Sequence, residues 1–206
     1  MQISVFCEIS VSNPYKRVQP ERRRSFVAAG DRDRCTNGDA RTISITMQMK
    51  ASSDTIDIRR AKPEDAPAIA LIQHSLGWVR RLESEPVEVT TETVRRHLEM
   101  CNAAGSHSVY VACRDIPVGY IAVHWLPYLL LSGPEGFISE LFIIEAERGK
   151  GVGTRLLDTV QKEAMERGCS RLQLINFRAR ESYRRQFYTR AGWTERTDAA
   201  NFVLTL

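Results

Sequence analysis

The most regular pattern of apolar and polar residues lies between positions 137 and 168. An unbroken apolar run of strand-forming residues, Leu141 to Ile144, follows Glu140 and leads into a glycine-rich turn. Beyond the turn, apolar residues recur every four positions, as on one buried face of a helix: Val152, Leu156, Val160 and Ala164. The pattern therefore predicts a strand over 137–144, a loop, and a helix over 154–168.

The other periodic segments predict an α/β domain with a mixed, mostly antiparallel sheet flanked by helices. Strand patterns cover 56–59, 108–113, 118–125 and 171–176, and helix patterns cover 63–76, 91–103 and 181–191. The turn residues of 114–119 predict a hairpin of the two strands beside them. A second hairpin, of 193–197 with 202–206, is expected to complete the sheet, and 126–136 is expected to be a loop that reaches over the site.

The glycine-rich turn has three glycines at alternate positions, in the sequence Arg148-Gly149-Lys150-Gly151-Val152-Gly153. Glycine lets the backbone approach a ligand closely, and the start of a helix adds N–H groups and the positive end of its dipole. The charges of Arg148 and Lys150 favour a diphosphate over a single carboxylate. The turn lacks the Gly-Lys-Ser/Thr ending of a Walker A loop, and Leu156 stands where a dinucleotide-binding turn needs glycine or alanine.

Charge and cysteine content narrow the class of partner and compartment. The 206 residues have a net charge of +4, but the excess lies in residues 1–50, so the charge-balanced remainder predicts no nucleic-acid partner. The five cysteines are odd in number and lack a Cys-x-x-Cys pair, which predicts neither a disulfide framework nor a metal site and favours a reducing, cytoplasmic setting. The longest apolar patch, 121–131, is too short to cross a membrane, so no membrane partner is expected.

Residues 1–54 show no sustained period and carry the basic run Arg22-Arg23-Arg24. We expect this segment to be disordered or a non-native extension, with Met47 or Met49 as a candidate start. The folded domain is accordingly expected to span 55–206.

Two segments together resemble the GCN5-related N-acetyltransferases (GNAT). The stretch from Glu140 to Ile143, followed by Arg148 to Gly153, resembles the family's acetyl-CoA signature, whose loop reads Arg/Gln-x-x-Gly-x-Gly/Ala. The stretch from Phe187 through Tyr188 to Gly192-Trp193 resembles the family's aromatic-Tyr-x-x-x-Gly-aromatic segment. The resemblance covers about 55–206, and it implies a sheet whose central strands four and five splay apart to admit the pantetheine arm of acetyl-CoA.

The resemblance also implies roles for individual residues. The cofactor diphosphate would lie on the backbone of the loop, namely Arg148, Gly149, Lys150, Gly151, Val152 and Gly153. The pantetheine arm would pair with the backbone of Phe142 and Ile143 and contact Asn176. Tyr188 is the expected proton donor to the departing thiolate, since a phenol with a pKa near 10 is protonated at neutral pH; alternatively, it packs with Phe187 and Trp193 and donates to a backbone carbonyl. Glu140 is the expected general base, directly or through water; alternatively, it shapes the strand or binds the acceptor ammonium.

In this family the first two helices commonly form a wall of the acceptor site. Candidate acceptor contacts are therefore His74, Trp78, Arg80, Arg81, Glu83 and His97, with ordinary surface or packing roles as the alternative for each. The chain departs from the family pattern between Asn176 and Phe187. The basic cluster there, with Arg180, Arg184 and Arg185, either reaches the 3′-phosphate of CoA or lies in water.

The resulting expectation is an acetyl-CoA-dependent N-acetyltransferase that acts on a primary amine of a small molecule. One alternative is an enzyme that acetylates protein N-termini or lysines, and another is a non-catalytic module that binds acyl-CoA. A homodimer is a further expectation, because dimers are common in the family.

Overall fold

The computed structural model describes residues 55–205, which contain five strands and five α-helices. The strands are β1 (Asp57–Arg60), β2 (His107–Cys113), β3 (Pro117–Leu126), β4 (Glu135–Ile143) and β5 (Arg171–Leu174). The helices are α1 (Ala66–His74), α2 (Val87–Ala104), α3 (Val152–Glu166), α4 (Glu181–Arg184) and α5 (Phe187–Arg190), with 3-10 turns at Pro63–Asp65, Arg80–Glu83 and Glu145–Glu147. None of these helices is long and apolar enough to cross a membrane. The predictions for residues 1–54 lie outside the described residues.

The strands form one sheet in the order β1-β2-β3-β4-β5. The pairs β1/β2, β2/β3 and β3/β4 are antiparallel, whereas β5 runs parallel to β4. A parallel pair needs a crossover connection, and α3 supplies it. The predicted hairpin of β2 and β3 is present, with Val111 opposite Tyr120. The prediction of a mixed, mostly antiparallel sheet flanked by helices is confirmed.

Helices cover both faces of the sheet because side chains of a strand point alternately to its two sides. Ile69 and Ile72 of α1 pack with Val94 and Leu98 of α2 against one face. The four-residue period of α3 packs against the other face, together with Ile121, Val123 and Ile138. All four α3 residues of that period are buried, as their spacing predicts: Val152, Leu156, Val160 and Ala164.

The predicted second hairpin is wrong. No residue from 193 to 205 is in a strand, and the side chains of Phe202 and Leu204 are 86% and 83% exposed. A short alternation of apolar and polar residues indicates only that a segment is able to pair as a β-strand. The pairing is stable only where the side chains also pack against other residues. Here the intervening 194–201 is mostly polar and exposed, so Phe202 and Leu204 gain no such packing.

Several predicted boundaries also change: α2 begins at Val87 and not at 91, α3 spans Val152–Glu166 and not 154–168, and β5 ends at Leu174 and not at 176. The helix expected over 181–191 is divided into α4 and α5 by Gln186, which adopts a left-handed backbone conformation with φ of 53°. No glycine or proline marks this break in the sequence. Because the chain changes direction at Gln186, Phe187 and Tyr188 pack against the α3 side of the core. The loop expected over 126–136 ends earlier, since Glu135 and Gly136 already belong to β4.

Asp65 joins the first strand to the first helix. Arg59 donates two hydrogen bonds of 2.7 Å to the Asp65 carboxylate, and the Lys62 N–H donates a third of 2.8 Å. Burial alone would raise the pKa of Asp65, but these hydrogen bonds hold it below its ordinary value. The ionised carboxylate is therefore favoured by folding.

We expect Asp65→Asn to lower the free energy of unfolding at pH 7 by about 2–4 kcal/mol, because it leaves Arg59 without its ionic partner. The pKa of Asp65 is lower in the folded state, so its contribution is present above the unfolded-state value of about 3.9 and is lost as pH falls below it. Urea unfolding at pH 7 and at pH 3.5 should thus show a difference from wild type that shrinks at the lower pH. Asp158→Asn, at an exposed position of α3, is the control; equal stabilities of the two variants at pH 7 would contradict the assignment.

Candidate active site

The pairing of β4 changes half-way along the strand. Ala122 lies opposite Glu140 and Val123 lies opposite Ile138, so Ser139 is an extra residue that forms a β-bulge. On its other side β4 pairs with β5 only from Glu135 to Ile138. The rest of β4, residues 139–143, runs beyond the end of β5. The two strands therefore part at the bulge, and we call the space beside residues 139–143 the β4–β5 gap.

Backbone polar groups of β4 face this gap. The Ile144 N–H donates to the Val118 carbonyl at 3.0 Å, and in an antiparallel pair successive residues point their polar groups to opposite sides. The N–H and C=O of Ile143 and Leu141 therefore point to the gap, whereas those of Phe142 point to β3. The Ile143 carbonyl accepts a hydrogen bond from Arg148 Nε at 3.1 Å, which leaves the Ile143 N–H available to a ligand.

The glycine-rich loop lies at the end of β4, as predicted. Gly149 and Gly151 have φ of 78° and 80°, a conformation that residues with a side chain rarely adopt, and a Cβ at either position would have no atom within 4 Å. Gly151 caps α3, so the first N–H groups of this 15-residue helix are directed out of its N-terminus. Arg148 and Lys150 are exposed beside them. The loop thus offers backbone donors, positive charge and open space at one place.

Gly153 serves a different purpose from the other two glycines. A Cβ there would lie 3.1 Å from both Ile143 Cδ1 and Phe187 Cζ. The absence of a side chain lets the first turn of α3 pack closely on the end of β4 and on α5. Gly153 therefore brings the loop, the gap and the Phe187-Tyr188 segment together.

Glu140 is held by a partly buried chain of hydrogen bonds. The Tyr120 hydroxyl donates to the Glu140 carboxylate, and Gln73 Nε2 of α1 donates to the Tyr120 hydroxyl at 3.1 Å. Burial raises the pKa of Glu140, although the hydrogen bond from Tyr120 and the nearby His97 act in the opposite direction. Burial and the Glu140 carboxylate raise the pKa of Tyr120, which remains a donor. A carboxylate with a raised pKa on the side of α1 is suited to accept a proton.

Tyr188 lies on the opposite face, packed edge-on against Phe187 and Trp193 with ring centroids 5.0 Å and 6.1 Å away. Its hydroxyl makes no hydrogen bond to any residue between 55 and 205. Burial raises the pKa of Tyr188 to about 12. The phenol is therefore neutral at physiological pH and free to donate a proton.

Asn176 lies just beyond β5, past the last residue that pairs with β4. Its Oδ1 accepts a hydrogen bond from Ser182 Oγ at 3.0 Å, which orients the side chain. The amide nitrogen has no hydrogen-bond partner in the described part of the chain. Asn176 is accordingly able to donate to an amide in the gap.

The candidate acceptor residues are only partly brought together. Trp78 reaches Phe142 of β4, with ring centroids 5.9 Å apart, and His97 lies near Glu140. His74 instead bonds the Thr90 hydroxyl at 2.9 Å, and Arg81 pairs with Glu85. Arg80 and Glu83 are exposed on the 3-10 turn that follows Trp78. Trp78 and His97 therefore remain candidates near the proposed chemistry.

The sequence model of the acetyltransferase (GNAT) family matches residues 76–193, a span that includes the bulge, the gap, the glycine-rich loop and the Tyr188 segment. The chain belongs to this family. GNAT proteins are acetyltransferases for which acetyl-CoA is the general acetyl donor. The family resemblance of the sequence and the expectation of an acetyltransferase are confirmed.

Solved structures show that the GNAT fold extends over most of the chain. A transcriptional regulator from Bacillus halodurans C-125 is 22% identical with a TM-score of 0.63, covering 74% of this chain and 100% of that one. Glucosamine-6-phosphate N-acetyltransferase from Arabidopsis thaliana is 18% identical with a TM-score of 0.60 and the same coverage. Ribosomal-protein-alanine N-acetyltransferase from Brucella melitensis biovar Abortus 2308 is 21% identical with a TM-score of 0.55, again with 74% and 100% covered. At these identities the likeness concerns the fold.

Four features of this candidate GNAT site are not predicted by the sequence. Tyr120 and Gln73 hold Glu140, and Leu141 presents backbone groups to the gap in addition to Ile143. Tyr120 lies within an apolar strand, where only the register of β3 against β4 reveals that it reaches Glu140. The contact of Arg180 with Trp78 was also missed, because it joins segments about one hundred positions apart.

Proposed function

We propose that the protein transfers the acetyl group of acetyl-CoA directly to a primary amine of a small molecule. The observation that carries the proposal is the β4–β5 gap, which has a glycine-rich, basic loop at its end, the carboxylate of Glu140 on one face and the hydroxyl of Tyr188 on the other. Direct transfer needs no covalent acyl-enzyme, and it needs a base for the amine and an acid for the thiolate. The chain provides one candidate for each.

The residues of the gap fit the proposed donor. Arg148, Gly149, Lys150, Gly151, Val152 and Gly153 would hold the diphosphate through N–H groups and charge. Ile143 and Asn176 would bind the pantetheine amides, with Leu141 as the neighbouring backbone contact. Phe142, expected from the sequence to pair through its backbone, contributes an aromatic ring toward Trp78.

Acetyl-CoA supplies an activated thioester carbonyl when it is bound. Glu140 removes a proton from the acceptor amine, and the Ile143 N–H stabilises negative charge that develops on the carbonyl oxygen. The C–N bond forms as the C–S bond breaks, and Tyr188 protonates the departing sulfur. The net products are an amide and free CoA, and exchange with water restores Tyr188 and Glu140.

The size of the acceptor distinguishes the proposed small-molecule acetyltransferase from the alternative, an enzyme that acetylates proteins. Arg180, between β5 and α4, stacks on Trp78, between α1 and α2, so that the two segments meet beside Phe142. A contact of this kind narrows the approach to Glu140 from that side, which favours a small acceptor over a folded protein. An open groove would favour a peptide.

We also infer a cytoplasmic setting. Cys101, Cys113 and Cys169 are free thiols, as is usual in a reducing compartment. Burial raises the pKa of each thiol, so none is an activated nucleophile.

The test of the proposed function is calorimetric titration with acetyl-CoA, with NAD and ATP as control ligands, followed by a thiol-release screen against primary amines. We expect micromolar binding of acetyl-CoA alone and thiol release with some small amines. Binding without release from any amine or peptide would favour the non-catalytic alternative, and release with peptides alone would favour the protein-acetylating one.

Gly151→Ala should raise the Kd for acetyl-CoA by about tenfold or more. A side chain in the left-handed conformation costs about 1–2 kcal/mol, and relief of that strain turns the loop N–H groups away from the diphosphate. Gly105→Ala is the matched control, since Gly105 has φ of 63°, lies after α2, and a Cβ there would have no atom within 4 Å. Both variants should lose similar stability, but only Gly151→Ala should bind acetyl-CoA more weakly; equal Kd values would remove Gly151 from the binding loop.

A further inference from the structure

Arg180 is one of eight arginines between residues 55 and 205 that form no ion pair with a described carboxylate, and the other seven are exposed, whereas Arg180 is half-buried. Its Cζ lies 3.5 Å from the ring centroid of Trp78, and the side chain is half-buried. Burial lowers the pKa of Arg180, because water is removed from the charge. No carboxylate between residues 55 and 205 forms an ion pair with it, whereas Arg59 and Arg171 are paired with Asp65 and Glu135. The stack thus holds a guanidinium whose N–H edges bind no carboxylate of the described residues.

The backbone around Arg180 is ordered by local hydrogen bonds. The Arg180 N–H donates to the Phe177 carbonyl at 2.9 Å, and the Tyr183 N–H donates to the Arg180 carbonyl at 3.1 Å. Ser182, bonded to Asn176, ties the same turn to the end of β5. With one face of the guanidinium on Trp78, its remaining freedom is small. Such a group binds a carboxylate or phosphate through two parallel N–H donors without further ordering.

A continuous row of contacts leads from Arg180 to Glu140. Trp78 packs on Phe142 at 5.9 Å, Phe142 packs on Tyr120 at 5.8 Å, and the Tyr120 hydroxyl donates to Glu140. Phe142 belongs to the face covered by α1 and α2, whereas Ile143 packs on the face of α3. Arg180 is therefore on the Glu140 side of β4, where an acceptor would approach, and not with the glycine-rich loop at the start of α3.

We propose that Arg180 binds an anionic group of the acceptor, so that the preferred substrate is a small amine that also carries a carboxylate or a phosphate. The inference rests on the proposed function and names its substrate class. The anionic group binds the guanidinium edge, and the amine of the same molecule is directed along the Phe142 ring toward Glu140. The opposite charges of Arg180 and Glu140 orient the acceptor in one direction only.

The experiment compares amines that carry an anionic group, called acids below, with matched amines that lack this group, called neutral amines below. Initial rates are measured for β-alanine against β-alaninamide and for phosphoethanolamine against ethanolamine, at saturating acetyl-CoA. The wild type should prefer the acid of at least one pair by about 10- to 100-fold in kcat/KM, the range of a charge-assisted bidentate contact. The first pair reports a carboxylate preference and the second a phosphate preference.

Arg180→Gln should abolish this preference by raising KM for the acid, with little change for the neutral amine or for acetyl-CoA. Arg196→Gln removes the same charge at an exposed site in the C-terminal segment and should keep the preference. Equal rates for acids and neutral amines in the wild type would overturn the proposal. A higher KM for acetyl-CoA in Arg180→Gln, with the acid preference intact, would also overturn it by assigning Arg180 to a CoA phosphate.

Equilibrium binding separates this inference from the proposed function. The same four amines are titrated into CoA-saturated wild type and Arg180→Gln, a comparison that needs no turnover. If the wild type binds the acids more tightly than the neutral amines and Arg180→Gln does not, the anion site is supported. This result holds even if no amine is acetylated, an outcome that would contradict only the proposed acetyl transfer. Equal binding of acids and neutral amines removes the site even if transfer is observed.

Discussion

Replacing Tyr188 by phenylalanine should lower kcat at saturating acetyl-CoA by about 10²-fold or more, the usual contribution of a general acid. The Tyr188 hydroxyl bonds no described residue, so its removal leaves the packing against Phe187 and Trp193 in place. The Kd for acetyl-CoA should hence be unchanged. Because burial raises the pKa of Tyr188 to about 12, the wild type should retain the proton donor up to at least pH 10.

The measurement is a pH series of kcat with Tyr183→Phe as the matched control. Tyr183 lies in α4 and donates to Glu195 at 3.0 Å, so its hydroxyl has a structural partner. Tyr183→Phe should keep wild-type kcat at every pH. Unchanged turnover of Tyr188→Phe across the series would reduce Tyr188 to a packing residue.

Glu140→Gln should lower kcat/KM for the amine by about 10²- to 10⁴-fold, since the amide has the shape of the carboxylate without its basicity. The base acts when deprotonated, and burial raises the pKa of Glu140. Activity should therefore fall as pH decreases through the pKa of Glu140, which lies above the value of about 4.3 for an ordinary glutamate. The variant should lack this acid limb.

Tyr120→Phe distinguishes a base from a structural glutamate. Loss of the Tyr120 hydrogen bond removes an interaction that stabilises the charged carboxylate, so the acid limb should move to higher pH. Glu145→Gln, at an exposed position after β4, should leave both rate and profile unchanged. If Glu140 only shapes the bulge, Glu140→Gln will keep the wild-type pH profile.

The central part of the fold, from β4 through the glycine-rich loop to α3, was predictable because the structure that the local sequence favours is also the one that packs in the folded domain. The apolar run before the loop is a strand, and the period of Val152, Leu156 and Val160 is the buried face of α3. Glycines were needed where the backbone is left-handed, at Gly149 and Gly151. These features depend on neighbours in sequence, which is why the pattern of the chain predicts them.

Predictions failed where the outcome depended on distant contacts. The alternation near Phe202 found no partner strand, and Gln186 divides the last helix without a glycine or proline to mark the break. The hydrogen bond of Tyr120 to Glu140 depends on the register of β3 against β4 and on the bulge at Ser139. No local pattern specifies such a register.

The sequence by itself determined the strand-loop-helix unit and the family, and it supplied the candidate residues for holding a diphosphate and moving a proton, because spacing and side-chain chemistry are set by neighbouring positions. Only the tertiary structure decided how deeply those residues are buried and which groups they contact. It placed the half-buried Glu140 against the hydroxyl of Tyr120, left the Tyr188 hydroxyl without a partner among the described residues, and stacked Arg180 on Trp78 without a carboxylate from that part of the chain. Burial and pairing of charges arise between segments far apart in the chain, and they set the protonation and the binding capacity of each group.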